Sequence, residues 1–190
     1  MSTEETIRNK VRAIIPDVGQ TSSRSYIYTI SNVFTLPEPN AYQINKVTKN
    51  GVTLDSSDYT FDSDSETITI TTALIENDVI IVYYNYYDYS DLQLNKYIES
   101  AIIYLSINNY TKDGEIYKIV GEEVEPILDE ATKNLIAFIA GILIKPNYSE
   151  YRTSTVILRY PKNEDKDTKI KKLISNYHTV LGVSGVVSLG

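Results

Sequence analysis

The sequence contains no cysteine, no tryptophan and only one histidine in 190 residues. The absence of cysteine excludes a disulfide framework and thiolate metal sites, and it is compatible with assembly in a reducing cytoplasm. The one histidine, His178, has no partners at a spacing that indicates a Ser–His–Asp site, so we interpret it as a surface residue. We therefore expect no metal and no other cofactor.

Motifs for catalysis and for phosphate binding are also missing. The acidic stretch 62–66 lacks the length, the central glycine and the final glutamate of an EF-hand loop, so it is interpreted as a hairpin turn. No lysine follows residues 182–185 as it does in a phosphate-binding loop. The acidic residues at 122, 123 and 125 lie at a predicted helix start, where they are stabilised without any catalytic role. We predict that the protein is not an enzyme.

Long hydrophobic runs are absent as well. The longest run, Leu135 to Ile144, has ten residues, whereas a membrane-spanning helix needs about 20. The first five residues are polar and acidic, unlike the basic and then apolar start of a signal peptide. We expect a buried helix at 135–144 and no contact with a membrane.

Negative charge is concentrated in one part of the chain. Residues 26–90 carry two basic and nine acidic side chains, a net charge of −7, whereas residues 1–25 carry four basic and three acidic ones. Such a field repels the phosphates of nucleic acids, so we do not expect sequence-specific DNA binding. A pore lined by this surface would instead let DNA slide without sticking.

Residues 42–87 have the composition of β-strands. Asn50-Gly51 separates two apolar segments and readily adopts the positive φ angles of a type I′ hairpin turn. Further segments rich in β-branched and aromatic residues lie at 26–30, 33–36, 59–61, 67–71 and 79–84.

Four other segments have the apolar periodicity of helices. We expect Thr3 to cap the first of them, and the others to begin after Ser90, at Glu122 or Glu123, and after a charged loop that ends at Asp167. The apolar stripes of the last three helices are predicted to include Leu94, Ile98, Ala101, Ile102 and Leu105, then Val124, Ile127, Leu128, Ala131 and Leu135, then Ile170, Leu173, Ile174, Tyr177 and Leu181. Residues 115–120 fit a short helix or a loop, and residues 155–160 fit a strand or an extended arm.

These elements predict an α+β fold in which a bundle of about four helices carries an inserted antiparallel β-domain. Residues 1–24 and 90–190 are assigned to a helical connector domain with a C-terminal docking tail. Residues 25–89 are assigned to the inserted β-domain, and the polar segment 20–25 is interpreted as a linker.

The third helix is apolar on every side from residue 135 onward, so it must be covered on every side. Burial by the second and fourth helices of the same chain is one interpretation, and cover from a neighbouring subunit is the other. For the second interpretation the predicted subunit interface consists of Leu135, Phe138, Ile139 and Ile142.

The last residues, from Gly182 onward, combine apolar side chains with glycine and serine. Glycine makes the segment too flexible to fold alone, and the segment is too apolar for a solvated linker. We expect it to dock on a partner as an added strand through Val183, Val186, Val187 and Leu189. The alternative is a disordered end.

Tyrosine is common, at 17 residues, and five of them lie between Tyr83 and Tyr89. One interpretation is a strand whose tyrosine hydroxyl groups reach water. A second is an exposed contact surface made by Tyr86, Tyr87 and Tyr89, because tyrosine is enriched at interfaces. A third is a platform that binds sugars.

Two sequence features together resemble a family of tailed-bacteriophage proteins. The first is the order Val47-Thr-Lys-Asn-Gly-Val-Thr-Leu54, Asp58-Tyr-Thr60, Ile68-Thr-Ile70 and Asp78-Val-Ile-Ile-Val-Tyr83, which is similar to modules of phage virion proteins. The second is the helix that begins at Ser90-Asp-Leu-Gln-Leu. It resembles the helix after the insert in neck adaptors, also called head-completion or head–tail connector proteins. The resemblance covers about residues 45–110 and extends loosely to 181.

The resemblance implies a non-enzymatic structural protein of the virion neck, assembled in the cytoplasm of the bacterial host. Members form rings, usually dodecamers, beneath the portal protein, and their tails commonly grip the portal or a neighbouring subunit. The implied partners are therefore further copies of this chain, the portal, the next tail or neck protein, and DNA passing through the channel. The alternative function is a carbohydrate- or receptor-binding module associated with the tail or fibre, which would use the tyrosine cluster.

Overall fold

The computed structural model describes residues 2–107, 116–121, 123–153, 156–176 and 185–189. It divides into two units. Val18–Ser90 is named the β unit, and Met1–Asp17 together with Asp91–Gly190 is named the mixed unit. The boundaries expected from the sequence lay at 24/25 and 89/90. The first one lies elsewhere because residues 20–25, interpreted as a linker, belong to a strand.

The β unit is built from two antiparallel sheets. Its strands in chain order are β1 (Gln20–Ile27), β2 (Val33–Thr35), β3 (Ala41–Lys49), β4 (Val52–Thr53), β5 (Tyr59–Asp62), β6 (Thr67–Ile70) and β7 (Val79–Tyr86). The first sheet has the order β1-β7-β3-β4 and the second the order β2-β6-β5. β7 is therefore an inner strand, paired on one side with β1 and on the other with β3.

One hydrophobic cluster joins the two sheets of the β unit. Alternate residues of β7, namely Ile80, Val82 and Tyr84, are fully buried, as the two-residue period of a strand requires. They pack with Phe34, Leu36, Ala41, Val47, Ile68 and Ile70. The predicted turn at Asn50-Gly51 is confirmed, since the two residues have φ angles of 50° and 83° and connect the paired strands β3 and β4.

The mixed unit contains both helices and short strands. Its elements in chain order are α1 (Thr3–Ile14), α2 (Asp91–Ile107), β8 (Lys118–Val120), β9 (Glu123–Glu125), α3 (Glu130–Ile144), β10 (Glu150–Arg152), β11 (Val156–Arg159), α4 (Lys166–Ser175) and β12 (Gly185–Ser188). β8 and β9 form a hairpin, and the other sheet has the order β10-β11-β12. β11 and β12 are parallel, which is possible because α4 provides the crossover between them.

The prediction of a four-helix bundle with one inserted β-domain is wrong. In the described residues the chain is a mixed α+β structure with four helices and four small sheets. α1, α2 and α4 each pack against α3, but β9 packs against α1, and β10 packs against both α1 and α3. Part of the cover that the prediction assigned to helices is therefore given by strands.

The start of the third helix was also predicted wrongly. Glu123–Glu125 is strand β9, and α3 begins seven residues later than β9, at Glu130. Asp129 is the N-cap, because its side chain accepts a hydrogen bond from the backbone N–H of Thr132 at 2.7 Å. Similarly, α1 is capped by Ser2 and not by Thr3.

One buried arginine holds together the two segments that lead into and out of the β unit. Arg12 of α1 forms ion pairs with Asp17 and, at 2.8 Å, with Asp91. Asp17 is the last residue of the mixed unit before the β unit, and Asp91 is the first residue after it. One guanidinium group thus pairs with the two residues of the mixed unit that directly precede and follow the β unit in the chain.

Replacement of Gly141 by alanine is expected to destabilise the mixed unit. A Cβ atom at this position in α3 would lie 2.5 Å from Cγ2 of Ile14. Overpacking costs about 1–3 kcal/mol, which exceeds the gain of about 1 kcal/mol in helix propensity. Urea unfolding of Gly141→Ala should show this loss. In the background of Ile14→Ala, which removes the clashing methyl group, Gly141→Ala should become neutral or stabilising, and an equal loss in both backgrounds would contradict the packing argument.

Asp78 is expected to make the β unit sensitive to acid. The backbone N–H of Ile75, the side chain of Asn50 and the ammonium group of Lys49 lower the pKa of this carboxyl group from 3.8 to about 2. Because the folded pKa is depressed, the stabilisation is present above the unfolded pKa and is lost as pH falls through about 2. Thermal unfolding between pH 5 and pH 2 should therefore show a steeper loss for the natural chain than for Asp78→Asn. Parallel curves would contradict this role.

Candidate contact surfaces

The described residues bring together no group of three or more histidine, cysteine or acidic side chains that could hold a metal ion. His178 lies outside the described residues. The stretch 62–66 is a turn in which Asp62 accepts hydrogen bonds from the backbone N–H of Asp64 and the hydroxyl group of Ser65, at 3.0 and 2.7 Å. These bonds lower the pKa of Asp62. They explain the polar residues of the turn without any bound ligand.

Lys169 is the most unusual ionisable residue of the mixed unit, because its side chain is 1% exposed. Its ammonium group donates to the carbonyl oxygens of Pro146 and Tyr148, at 2.5 and 2.8 Å. The nitrogen lies 5.9 Å from the ring centroids of both Tyr151 and Tyr160, within the range of cation–π attraction. This contact set ties α4 to the loop after α3.

Burial perturbs the titration of the groups around this lysine. It lowers the pKa of Lys169, against the opposing effect of the Glu164 and Asp165 carboxylates. It also raises the pKa values of Tyr151 and Tyr160, so both hydroxyl groups stay neutral. Two carbonyl groups and two rings already occupy the ammonium group, so we assign Lys169 a structural role.

The four residues predicted to form a subunit interface lie inside the mixed unit. Leu135, Phe138, Ile139 and Ile142 are each at most 1% exposed. α3 is covered by α1, α2, α4 and β10 of its own chain. No surface of these four side chains is left for a neighbouring subunit, so any contact between copies must use other residues.

The predicted docking tail lies against its own chain where it is described. Val183 is outside the described residues, and the backbone of Val186 and Val187 belongs to β12, opposite Ile157 and Leu158 of β11. Leu189 is 5% exposed, and its N–H donates to the carbonyl of Arg159 at 2.8 Å. The segment is an added strand, as predicted from its composition, but the strand that it joins is in the same chain.

The three tyrosines predicted to form an exposed contact surface are all half-buried. Tyr86 packs on the core of the β unit, and its hydroxyl group donates to Oε1 of Gln20 at 3.0 Å. Tyr87 stacks on Tyr42 with ring centroids 4.2 Å apart. Tyr86 and Tyr87 thus use their rings for packing within the β unit, and only part of each is left for a ligand.

Exposed aliphatic side chains gather at the β8–β9 hairpin instead. Ile127 is 96% exposed and Ile116 is 73% exposed. They line one shallow depression together with Pro126 and with Lys118 and Glu125, which form an ion pair at 3.5 Å. The sequence-based interpretation missed this surface because it placed Ile127 in the apolar stripe of a helix. The N-cap signal of Asp129, followed by Thr132, was the clue that the helix begins later.

The β unit exposes aliphatic residues at one end of its larger sheet. Ile27 of β1 and Val79 of β7 are directly opposite each other, and they are 64% and 36% exposed. Ile30 and Ile75 lie in the adjoining loops and are 91% and 72% exposed. The loops are held together by two backbone hydrogen bonds of Tyr28: its carbonyl accepts from the N–H of Asn77 at 3.0 Å, and its N–H donates to the carbonyl of Asp78 at 2.8 Å.

No protein-family model matches the chain, and no curated protein matches it. Among the described residues, none of the helices combines the length and the apolar character that crossing a bilayer requires. Function must therefore be inferred from the surfaces described above and from the sequence resemblance.

Removal of the buried ammonium group should destabilise the mixed unit. Lys169→Met keeps most of the side-chain volume but leaves the carbonyl groups of Pro146 and Tyr148 without their donor. An unsatisfied buried acceptor costs about 1–3 kcal/mol. Lys171→Met, on the exposed side of the same helix, is the matched control and should change the free energy of unfolding by less than about 0.5 kcal/mol. Equal urea unfolding curves for the two variants would contradict the structural role.

Proposed function

We propose that the chain is a non-enzymatic structural protein of a tailed-phage neck, an adaptor ring that joins the portal to the tail. The supporting observation is the order of segments over residues 45–110. The segments that carry the resemblance coincide with β3–β4, β5, β6 and β7, and the helix after them is α2. This order of strands and helix is the pattern by which the sequence resembles neck adaptors.

The mixed unit is the part through which copies associate in this proposal. Its residues carry 15 basic and 16 acidic side chains, whereas the β unit carries three basic and nine acidic ones. Two mixed units therefore approach each other with little charge repulsion, whereas two β units repel each other. The apolar depression at Ile116, Pro126 and Ile127 supplies surface whose burial is favourable, at about 25 cal/mol for each Å². A head-to-tail contact closes into a ring when the rotation between copies divides a full turn evenly, and the family resemblance implies a dodecamer.

The β unit has two roles in the proposal. Its net charge of −6, from three basic and nine acidic side chains, disfavours adhesion of DNA, so DNA passes through the channel without sequence-specific binding. The unit also meets the next tail or neck protein. We assign the portal contact to no residue of the docking tail, because Leu189 is buried in its own chain.

The proposal predicts that the purified chain assembles with a phage portal and that the assembly depends on Ile127. Mass measurement of the chain alone, and mixed with the portal oligomer, should detect a complex with several copies per portal. Ile127→Asp should abolish association between copies, because it would bury an unpaired carboxylate in the contact.

Ile30→Asp is the matched control for this experiment, since Ile30 is also an exposed isoleucine but lies in the β unit. It should assemble like the natural chain. A chain that stays a monomer at every concentration, with and without portal, would overturn the proposed function. Assembly that survives Ile127→Asp and fails with Ile30→Asp would show that the contact lies in the β unit instead.

A further inference from the structure

β1 is a long strand with one free edge. Its eight residues pair with β7 alone, through eight consecutive partners from Gln20 opposite Tyr86 to Ile27 opposite Val79. Six of the eight residues are exposed. Within the described residues, no backbone hydrogen bond reaches β1 from another strand or loop on its outer side. The outward-facing N–H and C=O groups of this edge can therefore pair with another strand.

The opposite edge of the same sheet is irregular and partly covered. β4 pairs with the end of β3 at Thr48 and Lys49, and the N–H of Leu54 donates to the carbonyl of Val47 at 2.9 Å. The register of β3 also shifts twice, between residues 41 and 43 and between residues 44 and 46. Bulges and short covering strands are the usual devices that prevent strand addition. β1 has no register shift, no proline and no lysine, and Arg24 is its one charged residue.

Side-chain hydrogen bonds connect β1 to neighbouring residues of the β unit. The hydroxyl group of Thr21 donates to Oδ1 of Asn85 at 3.0 Å, and that of Ser22 donates to Oε1 of Glu38 at 3.1 Å. The hydroxyl group of Tyr26 donates to the carbonyl of Thr35 at 2.6 Å. A pre-ordered edge loses little conformational entropy when a partner binds. The free edge is thus a ready template for strand addition.

Charge selects the partner of this edge. The β unit carries a net charge of −6, so pairing β1 with β1 of a second copy would bring two strongly negative units together. An extended segment that carries lysine or arginine gains attraction from the same field.

We propose that β1 binds a positively charged, extended segment of another protein, which adds to the sheet as a fifth strand beside Gln20–Ile27. The inference rests on the proposed function, in which this partner is the next tail or neck protein. Main-chain hydrogen bonds give the affinity, and the net negative charge of the β unit gives the preference for a basic segment.

Two synthetic peptides test the proposal with the full chain. One is a capped peptide of alternating lysine and valine, as long as β1, and the other has glutamate in place of every lysine. Hydrogen–deuterium exchange of residues 20–27 should slow when the lysine peptide is added. The glutamate peptide should bind at least about tenfold more weakly, and added salt should reduce this difference.

A pair of proline variants tests whether the backbone edge is the binding site. Consecutive N–H groups of a strand point to opposite sides, so one of Ser22→Pro and Ser23→Pro removes a bond to β7 and the other removes an outward donor. The more stable variant, identified by thermal unfolding, should keep the fold and lose at least about tenfold in affinity for the lysine peptide. If both variants unfold, the exchange experiment with the two peptides decides.

Three outcomes would overturn the inference. They are unchanged exchange of residues 20–27 with the lysine peptide, equal protection by both peptides, and protection that grows with the concentration of the chain alone. A chain that assembles with the portal but binds neither peptide overturns this inference and leaves the proposed function standing. A chain that binds the lysine peptide but never assembles with the portal overturns the proposed function and leaves this inference standing.

Discussion

The mixed unit depends on the burial of α3 on all its sides. Nine of the 15 residues of this helix are buried, and such a helix is stable only where other elements exclude water from every face. α1, α2, α4 and β10 provide this cover. Gly141 brings α1 close enough that even one added carbon atom would overlap Ile14. Lys169 then ties α4 to the loop that follows the helix. The apolar surface of α3 is buried within one chain, so it does not by itself indicate assembly with other copies.

The β unit is organised in the same way around β7. This strand has neighbours on both sides, and three of its side chains form the centre of the cluster between the sheets. The two neighbours of β7 differ in regularity and in cover: β3 is bulged and partly covered, whereas β1 is regular and uncovered. The larger sheet therefore has one irregular, partly covered edge and one regular, uncovered edge. Since the unit also carries a net charge of −6, the position of the uncovered edge and the charge of the unit together restrict which partners can bind.

Local signals in the sequence predicted those elements whose stabilisation is local. Asn50-Gly51 predicted its turn because few other residue pairs accept two positive φ angles. The stripe Leu94, Ile98, Ala101, Ile102 and Leu105 of α2 predicted a buried helix face, and all five residues are buried. The strand segments that were missed have weak local signals. Residues 20–25, the first part of β1, are all polar and lack an apolar alternation, and β8 and β9 are only three residues long.

Long-range pairing was the other property that local pattern could not provide. The apolar segment around Val186 has the composition of an added strand, but nothing in it specifies which strand it joins, and β11 lies 29 residues earlier in the chain. The exposed position of Ile127 was hidden for a related reason, since its apolar neighbours matched a helical stripe that the cap at Asp129 interrupts. The candidate surfaces follow from the relative placement of elements, and this placement is a property of the whole fold.

The ion pairs of Arg12 have a consequence for how the two units depend on each other. The chain leaves the mixed unit at Asp17 and returns at Asp91, and one guanidinium group pairs with both carboxylates. The residues at which the chain leaves and returns are thus paired with one side chain, and all three residues belong to the mixed unit. Val18–Ser90 is accordingly a continuous insertion. Replacing it with a different domain, or with a short linker, would leave the chain path of the mixed unit unchanged.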